Sequence, residues 1–274
     1  MTLATITFEY VRDLVQRESA IVLTPDKEYL VEARLTPLAK AAGESSVDRF
    51  VQRLRAHRDP VSQSQVVEAL TTNETSWYRD GDPFTVLRTT VLPEIVGRSG
   101  AVGAVRVWSA ACSSGQEAYS IAMELNELVL PRGRPAEIIA TDLSEKMVER
   151  TRAGRYGQLE VNRGLPAARL VQYFTRQGTD WVVNAPLRSM VSARTMNLAA
   201  PFPALELFDV VFLRNVLIYF DVPTKRRILQ RVRAVMRPDA YLFLGSAEVV
   251  IGLDDGWVRS SVGRASFYRP GKGA

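Results

Sequence analysis

Among 274 residues the chain holds one cysteine, Cys112, and one histidine, His57. A lone thiol excludes an intramolecular disulfide and a cysteine-rich metal site, and a lone imidazole excludes a multi-histidine centre. No metal is expected. Long apolar runs are also missing, since none approaches the roughly 18 residues needed to cross a bilayer. The first twenty residues scatter Glu9, Arg12, Asp13, Arg17 and Glu18 where a secretory signal would be apolar. A cytoplasmic location without direct membrane insertion is therefore the expectation.

What is present is an ordinary globular composition, 46% hydrophobic and 24% charged, long enough for one large domain or two smaller ones. Residues 1–85 carry ten basic and thirteen acidic side chains, a balance of −3, and the remainder carries +8. Such a mild basic balance is common on solvated surfaces, so a nucleic-acid partner is not expected.

Apolar residues recur at helical spacing through the first eighty positions. Phe8, Val11, Leu14 and Val15 mark one helix. A second opens after Thr24-Pro25-Asp26, carries Tyr29, Leu30, Ala33 and Leu38, and ends at Gly43. Asp48 to His57 forms a third, and Val66, Val67 and Leu70 a fourth. The expectation is an all-helical domain over 1–85, with a helical linker over 86–104. The period then changes. Short apolar runs at 105–108, 138–140, 208–213 and 241–244 alternate with helices at 117–129, from Ser144 to Arg152, and at 224–236. That alternation specifies an α/β domain over 105–274 with a mostly parallel sheet covered on both faces. Phe174 and Trp181-Val182-Val183 flank Gly178, so a small antiparallel β insert is expected at about 155–190.

In such sheets the ligand sits beyond the carboxyl ends of the strands. Ser109–Gly115 is crowded with small residues, which lets a ligand approach the backbone. The loop matches neither G-x-G-x-x-G nor G-x-x-x-x-G-K-[ST], which disfavours a pyrophosphate cofactor. Asp142 follows the second strand, where a carboxylate accepts from ribose hydroxyls. Glu117 opens the next helix, as a capping charge or as the partner of a cationic ligand group. A nucleoside joined to an amino acid, without phosphates, fits these features better than NAD does. S-adenosylmethionine is such a molecule.

Six segments stand in order. They are Thr71-Thr72-Asn73-Glu74-Thr75-Ser76-Trp77-Tyr78-Arg79-Asp80; Trp108 through Ser120; Ala140-Thr141-Asp142 with Asn197-Leu198; Arg214-Asn215-Val216-Leu217-Ile218-Tyr219-Phe220; and Gly245-Ser246-Ala247-Glu248. Together they resemble the CheR family of chemotaxis-receptor methyltransferases. The resemblance implies a Rossmann-like class I methyltransferase that esterifies receptor glutamates and releases S-adenosylhomocysteine. It implies cofactor contacts from Asn73, Thr75, Arg79, Glu117, Asp142, Asn197, Leu198, Arg214 and Asn215, with Arg79 and Tyr219 nearest the transferred methyl. The implied partners are the cytoplasmic helices of methyl-accepting receptors; Arg49, Arg53, Arg55 and Arg58 read either as a positive face that meets them or as a solvated helix surface. The β insert resembles the subdomain that tethers some members to a receptor tail peptide. Trp77-Tyr78 stands where two phenylalanines are frequent, and Ala118 where proline is common. Two other readings compete. An NAD-dependent oxidoreductase shares the strand–helix pattern without its glycine fingerprint, and a non-catalytic cofactor sensor shares the fold.

Overall fold

The computed structural model describes residues 3–57, 59–98 and 103–271. The chain divides into two compact units, Met1–Thr72 with Tyr219–Thr224, and Asn73–Ile218 with Lys225–Ala274. The expected boundary at 85 therefore moves to 72/73. The reason is packing: Trp77 meets Tyr156 and Phe174 edge-on at 4.9 and 5.4 Å, and Phe84 lies 5.6 Å from Phe212, all within the second unit.

The first unit is helical, with α1 (Thr5–Ser19), α2 (Glu28–Ala41), α3 (Val47–His57) and α4 (Pro60–Leu70). Its core takes Phe8, Val11, Leu14 and Val15 from α1, Phe50, Val51 and Leu54 from α3, and Val66, Val67 and Leu70 from α4. The face of α2 differs from expectation. Val31, Leu35 and Ala39, four residues apart, are buried, while Tyr29 is 67% exposed and Ala33 is exposed. The Asp59 carboxylate caps α4 by accepting from the Val61 and Ser62 N–H groups, a contact of the kind that contributes about 1 kcal/mol. Asp48 accepts from the Thr7 hydroxyl at 2.5 Å and joins α3 to α1.

In the second unit α5 (Asp82–Val86), a π-helical turn (Leu87–Val91) and α6 (Leu92–Gly97) precede the sheet. The strands are β1 (Val105–Ala110), β2 (Ala136–Asp142), β3 (Arg155–Gly157), β4 (Phe174–Gln177), β5 (Asp180–Val183), β6 (Val191–Thr195), β7 (Phe208–Leu213), β8 (Met236–Leu244), β9 (Trp257–Val262) and β10 (Ala265–Pro270). Between them lie α7 (Gln116–Leu128), α8 (Glu145–Ala153), the short α9 (Gln158–Val161), α10 (Ala167–Tyr173) and α11 (Ala185–Arg188), and α12 (Val222–Ala234). Met236, expected at the end of the last helix, instead opens β8.

The main sheet runs β6-β2-β1-β7-β8-β10-β9, and its first five strands are parallel. Every residue of β7 is buried, as a central strand covered on both faces requires. Phe212 stacks on Phe243 at 4.7 Å beneath it. The β9–β10 hairpin adds two antiparallel strands that the sequence pattern did not announce. Its outer strand shows no alternation, with Trp257 buried and Val258 and Val262 exposed. The insert forms a separate antiparallel sheet, β3-β5-β4, turning at Gly178 with φ +63°. No helix among the described residues is long and apolar enough to cross a membrane.

Candidate functional site

The strand order reverses at β1, with β2 on one side and β7 on the other, so loops leaving their carboxyl ends border a crevice. The loop after β1 is tightly wound, with Ala111, Ser113 and Gly115 at φ 59°, 50° and 94°. A side chain at Gly115 would place its Cβ 2.9 Å from Thr151 and 3.0 Å from the Tyr156 hydroxyl. Glycine is thus required there by both conformation and close approach. Cys112 fills this loop at 1% exposure, and burial pushes its thiol well above the usual range. It is an inert packing group.

Asp142 ends β2 and is buried. Its Oδ2 accepts from the Ser113 N–H at 2.8 Å and its Oδ1 from the Ser144 N–H at 2.9 Å. The carboxylate is fixed between the first loop and the start of α8. Ser144 also caps that helix, its hydroxyl accepting from the Met147 N–H at 3.2 Å. Asn73 joins the same region, its carbonyl accepting from the Ser113 hydroxyl at 2.7 Å.

On the β7 side a buried ion network forms. The Arg214 side chain is 1% exposed and donates to Glu117 Oε2 at 3.0 Å, to the Arg79 carbonyl at 2.7 Å and to Asp80 at 2.8 Å. Glu117 Oε1 accepts from the Ser109 hydroxyl at 2.7 Å. Burial pushes the Glu117 carboxyl above its ordinary value, and the Arg214 guanidinium opposes that shift. Arg79 is half-buried, and its Nη1 donates to the Glu74 carbonyl at 2.9 Å. Next to this network a cavity of about 380 Å³ is lined in part by Asp80, Asp82, Glu248, Arg259 and Arg264.

The sequence-predicted residues do not all play equivalent parts. The contacts join Asn73 to Asp142 through Ser113, and Glu117 and the Arg79 carbonyl to Arg214. Thr75 is half-buried beside them in the chain. The Asn197 Oδ1 accepts from the Ala199 N–H at 2.8 Å, so its amide shapes its own turn, and the buried Leu198 offers its carbonyl to Arg231 at 2.8 Å. Asn215 takes a left-handed φ of 56°. Tyr219 falls with the helical unit, where its carbonyl accepts from the Val22 N–H at 2.9 Å. In the expected positive face of that unit, Arg53 pairs with Glu44 at 3.0 Å and Arg55 lies 5.4 Å from the Tyr10 ring, while Arg49 is exposed. Arg58 lies outside the described residues. His57 is exposed at the end of α3. Among the described residues no cluster of His, Cys, Asp and Glu has the makings of a metal site.

Sequence reasoning missed the clamp behind Arg79. Tyr78 and Asp80 flank it at φ 49° and 66°. The Trp77 N–H donates to the Arg163 carbonyl at 3.0 Å, and the Tyr78 ring lies 4.8 Å from the Arg169 guanidinium. Arg169 and Arg88 both bind Glu124, at 2.6 and 2.7 Å. The buried Glu124 carboxyl is raised by burial, with Arg88 opposing. Nothing in the local spacing foretells this network, because its members come from three segments distant in sequence.

Comparison with known proteins bears on the same residues. Residues 73–264 match the family model described as CheR methyltransferase, SAM binding domain, and residues 6–71 match CheR methyltransferase, all-alpha domain. Chemotaxis protein methyltransferase 1 of Pseudomonas aeruginosa is 41% identical over 276 residues, covering 98% of this chain and 99% of its own. Chemotaxis protein methyltransferase Cher2 of Pseudomonas putida is 42% identical over 262 residues, covering 93% and 94%. Among solved structures, the glycopeptide N-methyltransferase MtfA complexed with sinefungin is 18% identical with a TM-score of 0.34, over 57% of this chain and 49% of that one. That likeness is too slight to bear on function.

Proposed function

The chain belongs to the CheR methyltransferase family, and from that membership we propose that it methylates glutamate carboxylates on the cytoplasmic helices of chemotaxis receptors. It is an S-adenosylmethionine-dependent methyltransferase acting on such receptors.

The residues present fit the cofactor. Arg214 Nε is buried without an acceptor among the described residues, and a ligand bearing a carboxylate or hydroxyl supplies one. This orphaned donor, in a side chain that also binds Glu117, is the observation that carries the reading. When bound, the cofactor supplies an electrophilic methyl on a sulfonium that leaves as a neutral thioether. Asp142 would hold the ribose hydroxyls; Glu117 and Arg214 would face the polar methionine end, with Asn73, Thr75 and Asn215 around it. The Asn197-Leu198 turn would read the adenine edge through its backbone, since the Asn197 side chain already serves the turn.

A glutamate side chain has an intrinsic pKa near 4.3 and arrives ionised at neutral pH. No general base or acid is needed, which suits a site without histidine. The task that remains is positioning, worth up to roughly 7–11 kcal/mol in favourable intramolecular cases. Arg79 keeps donors beyond the one given to Glu74 and would orient the incoming carboxylate. The outer strands β3 and β4 of the insert would accept a receptor tail peptide by strand addition, and membrane association would run through such protein contacts. The test is peptide mapping by mass spectrometry after incubation with a purified receptor fragment and S-adenosylmethionine. Methyl groups on glutamate side chains support the reading, and methyl groups confined to lysine or to termini overturn it.

A further inference from the structure

The segment Gly245-Ser246-Ala247-Glu248 follows β8 and borders the cavity next to the Arg214 network, but none of the roles given above falls to it. Its glutamate is 7% exposed and is met almost wholly by backbone donors. Glu248 Oε2 accepts from the Asn215 and Gly245 N–H groups, both at 2.7 Å. Its Oε1 accepts from Val216 at 2.9 Å, Leu217 at 2.7 Å and Ile218 at 3.3 Å. Four consecutive N–H groups, 215 to 218, thus converge on one side chain from the loop that follows the neighbouring strand β7.

The chain can present them only because Asn215 is left-handed and the next residues turn into a 3₁₀ segment, Leu217–Tyr219. Successive N–H groups in such a concave arrangement form an anion-binding nest. Here a resident carboxylate occupies it. Gly245 is what admits that carboxylate. A Cβ at this position would lie 2.7 Å from Glu248 Oε2, 2.7 Å from Asn215 Nδ2 and 2.8 Å from the Asn215 nitrogen.

The nest begins one residue after Arg214, whose side chain binds Glu117, Asp80 and the Arg79 carbonyl. It ends one residue before Tyr219. We propose that Glu248 is a positioning residue for methyl transfer: a fixed anion that sets the backbone from which Arg214 and Asn215 project and which leads into Tyr219. The inference rests on the methyltransferase reading. A carboxylate is specifically required, because every partner is a donor. An amide would turn its own NH₂ toward N–H groups and leave some of them buried without an acceptor.

The test compares Glu248→Gln, Glu248→Asp and Gly245→Ala with the wild type, at temperatures where circular dichroism shows each protein folded. The readouts are kcat, receptor KM and calorimetric affinity for S-adenosylhomocysteine. The expected result for Glu248→Gln is a kcat lower by about tenfold or more with receptor KM within about twofold. S-adenosylhomocysteine binding weakens in parallel, because Arg214 and Asn215 are displaced. Glu248→Asp keeps the charge and lies between wild type and Gln. Gly245→Ala, with Glu248 intact, behaves like Gln because its Cβ enters the nest.

Wild-type kcat and binding per folded molecule in Glu248→Gln would overturn the proposal and reduce the nest to a stabilising cap. Equal loss in Asp and Gln would overturn the requirement for charge. A wild-type protein that binds S-adenosylhomocysteine but methylates no receptor would instead defeat the methyltransferase reading, and the binding arm would still decide the role of Glu248.

Discussion

Asp142 is the residue whose role is most local. Two backbone N–H groups hold its carboxylate, so in the proposed role it would meet a ligand without reorganising. Asp142→Ala is expected to weaken cofactor binding by about tenfold or more, in keeping with 1.5–3 kcal/mol for hydrogen bonds to a charged group. Calorimetry with S-adenosylhomocysteine checks it, and unchanged affinity removes the role. Tyr219→Phe is expected to lower turnover more than cofactor affinity, and equal rates would leave Tyr219 a packing aromatic. The place of Asp142 at the carboxyl end of β2 was legible from the apolar run before it, whereas the two N–H groups that hold it were not. Arg214 was legible only as a polar residue at a strand end. Its partners Glu117, Arg79 and Asp80 lie about a hundred residues or more away, and only the folded sheet brings them to it.

Elements were legible where one face is buried and the period is clean. The central strand β7 and helices α1, α3 and α4 stand where the apolar spacing placed them. The β9–β10 hairpin was not legible, because an edge strand with one buried residue carries no alternation. Nor was the turn that carries Arg79. Gly164, at φ +97°, lets the chain pass so close to that turn that a Cβ would lie 2.3 Å from the Trp77 carbonyl oxygen. Gly164→Ala should therefore destabilise the protein by about 1–3 kcal/mol through backbone strain, read by denaturant unfolding. It should also slow methyl transfer, since Trp77 opens the segment running to Arg79. A variant with unaltered stability would mean that the turn relaxes freely.

For the whole molecule, stability at high pH reports a buried phenol. Burial, and then the hydrogen bond it donates to Glu94, push the Tyr241 hydroxyl from 10.0 up to about 12. Between those values the folded chain keeps a proton that the unfolded chain has lost. Stability thus falls as pH rises from about 10 toward 12, and is fully present below that window. In Tyr241→Phe this part of the alkaline slope should disappear from thermal melts taken across the range. An unchanged slope would assign it to other groups. The two-unit plan was legible from the change of hydrophobic period, but its boundary was not. Residues 73–85 are helical or looped like those before them, and it is their aromatic and polar contacts in the folded chain that assign them to the second unit.

Carboxyl methylation is the central claim, and ester lability tests it most directly. The protein would be incubated with methyl-labelled S-adenosylmethionine and membranes from its own source, and the volatile methanol released by mild base counted against an Asp142→Ala blank. Base-labile label well above the blank is the predicted result. Label that survives base, as N-methyl groups do, would contradict it, as would none from a protein that binds the cofactor normally and meets methyl-accepting receptors.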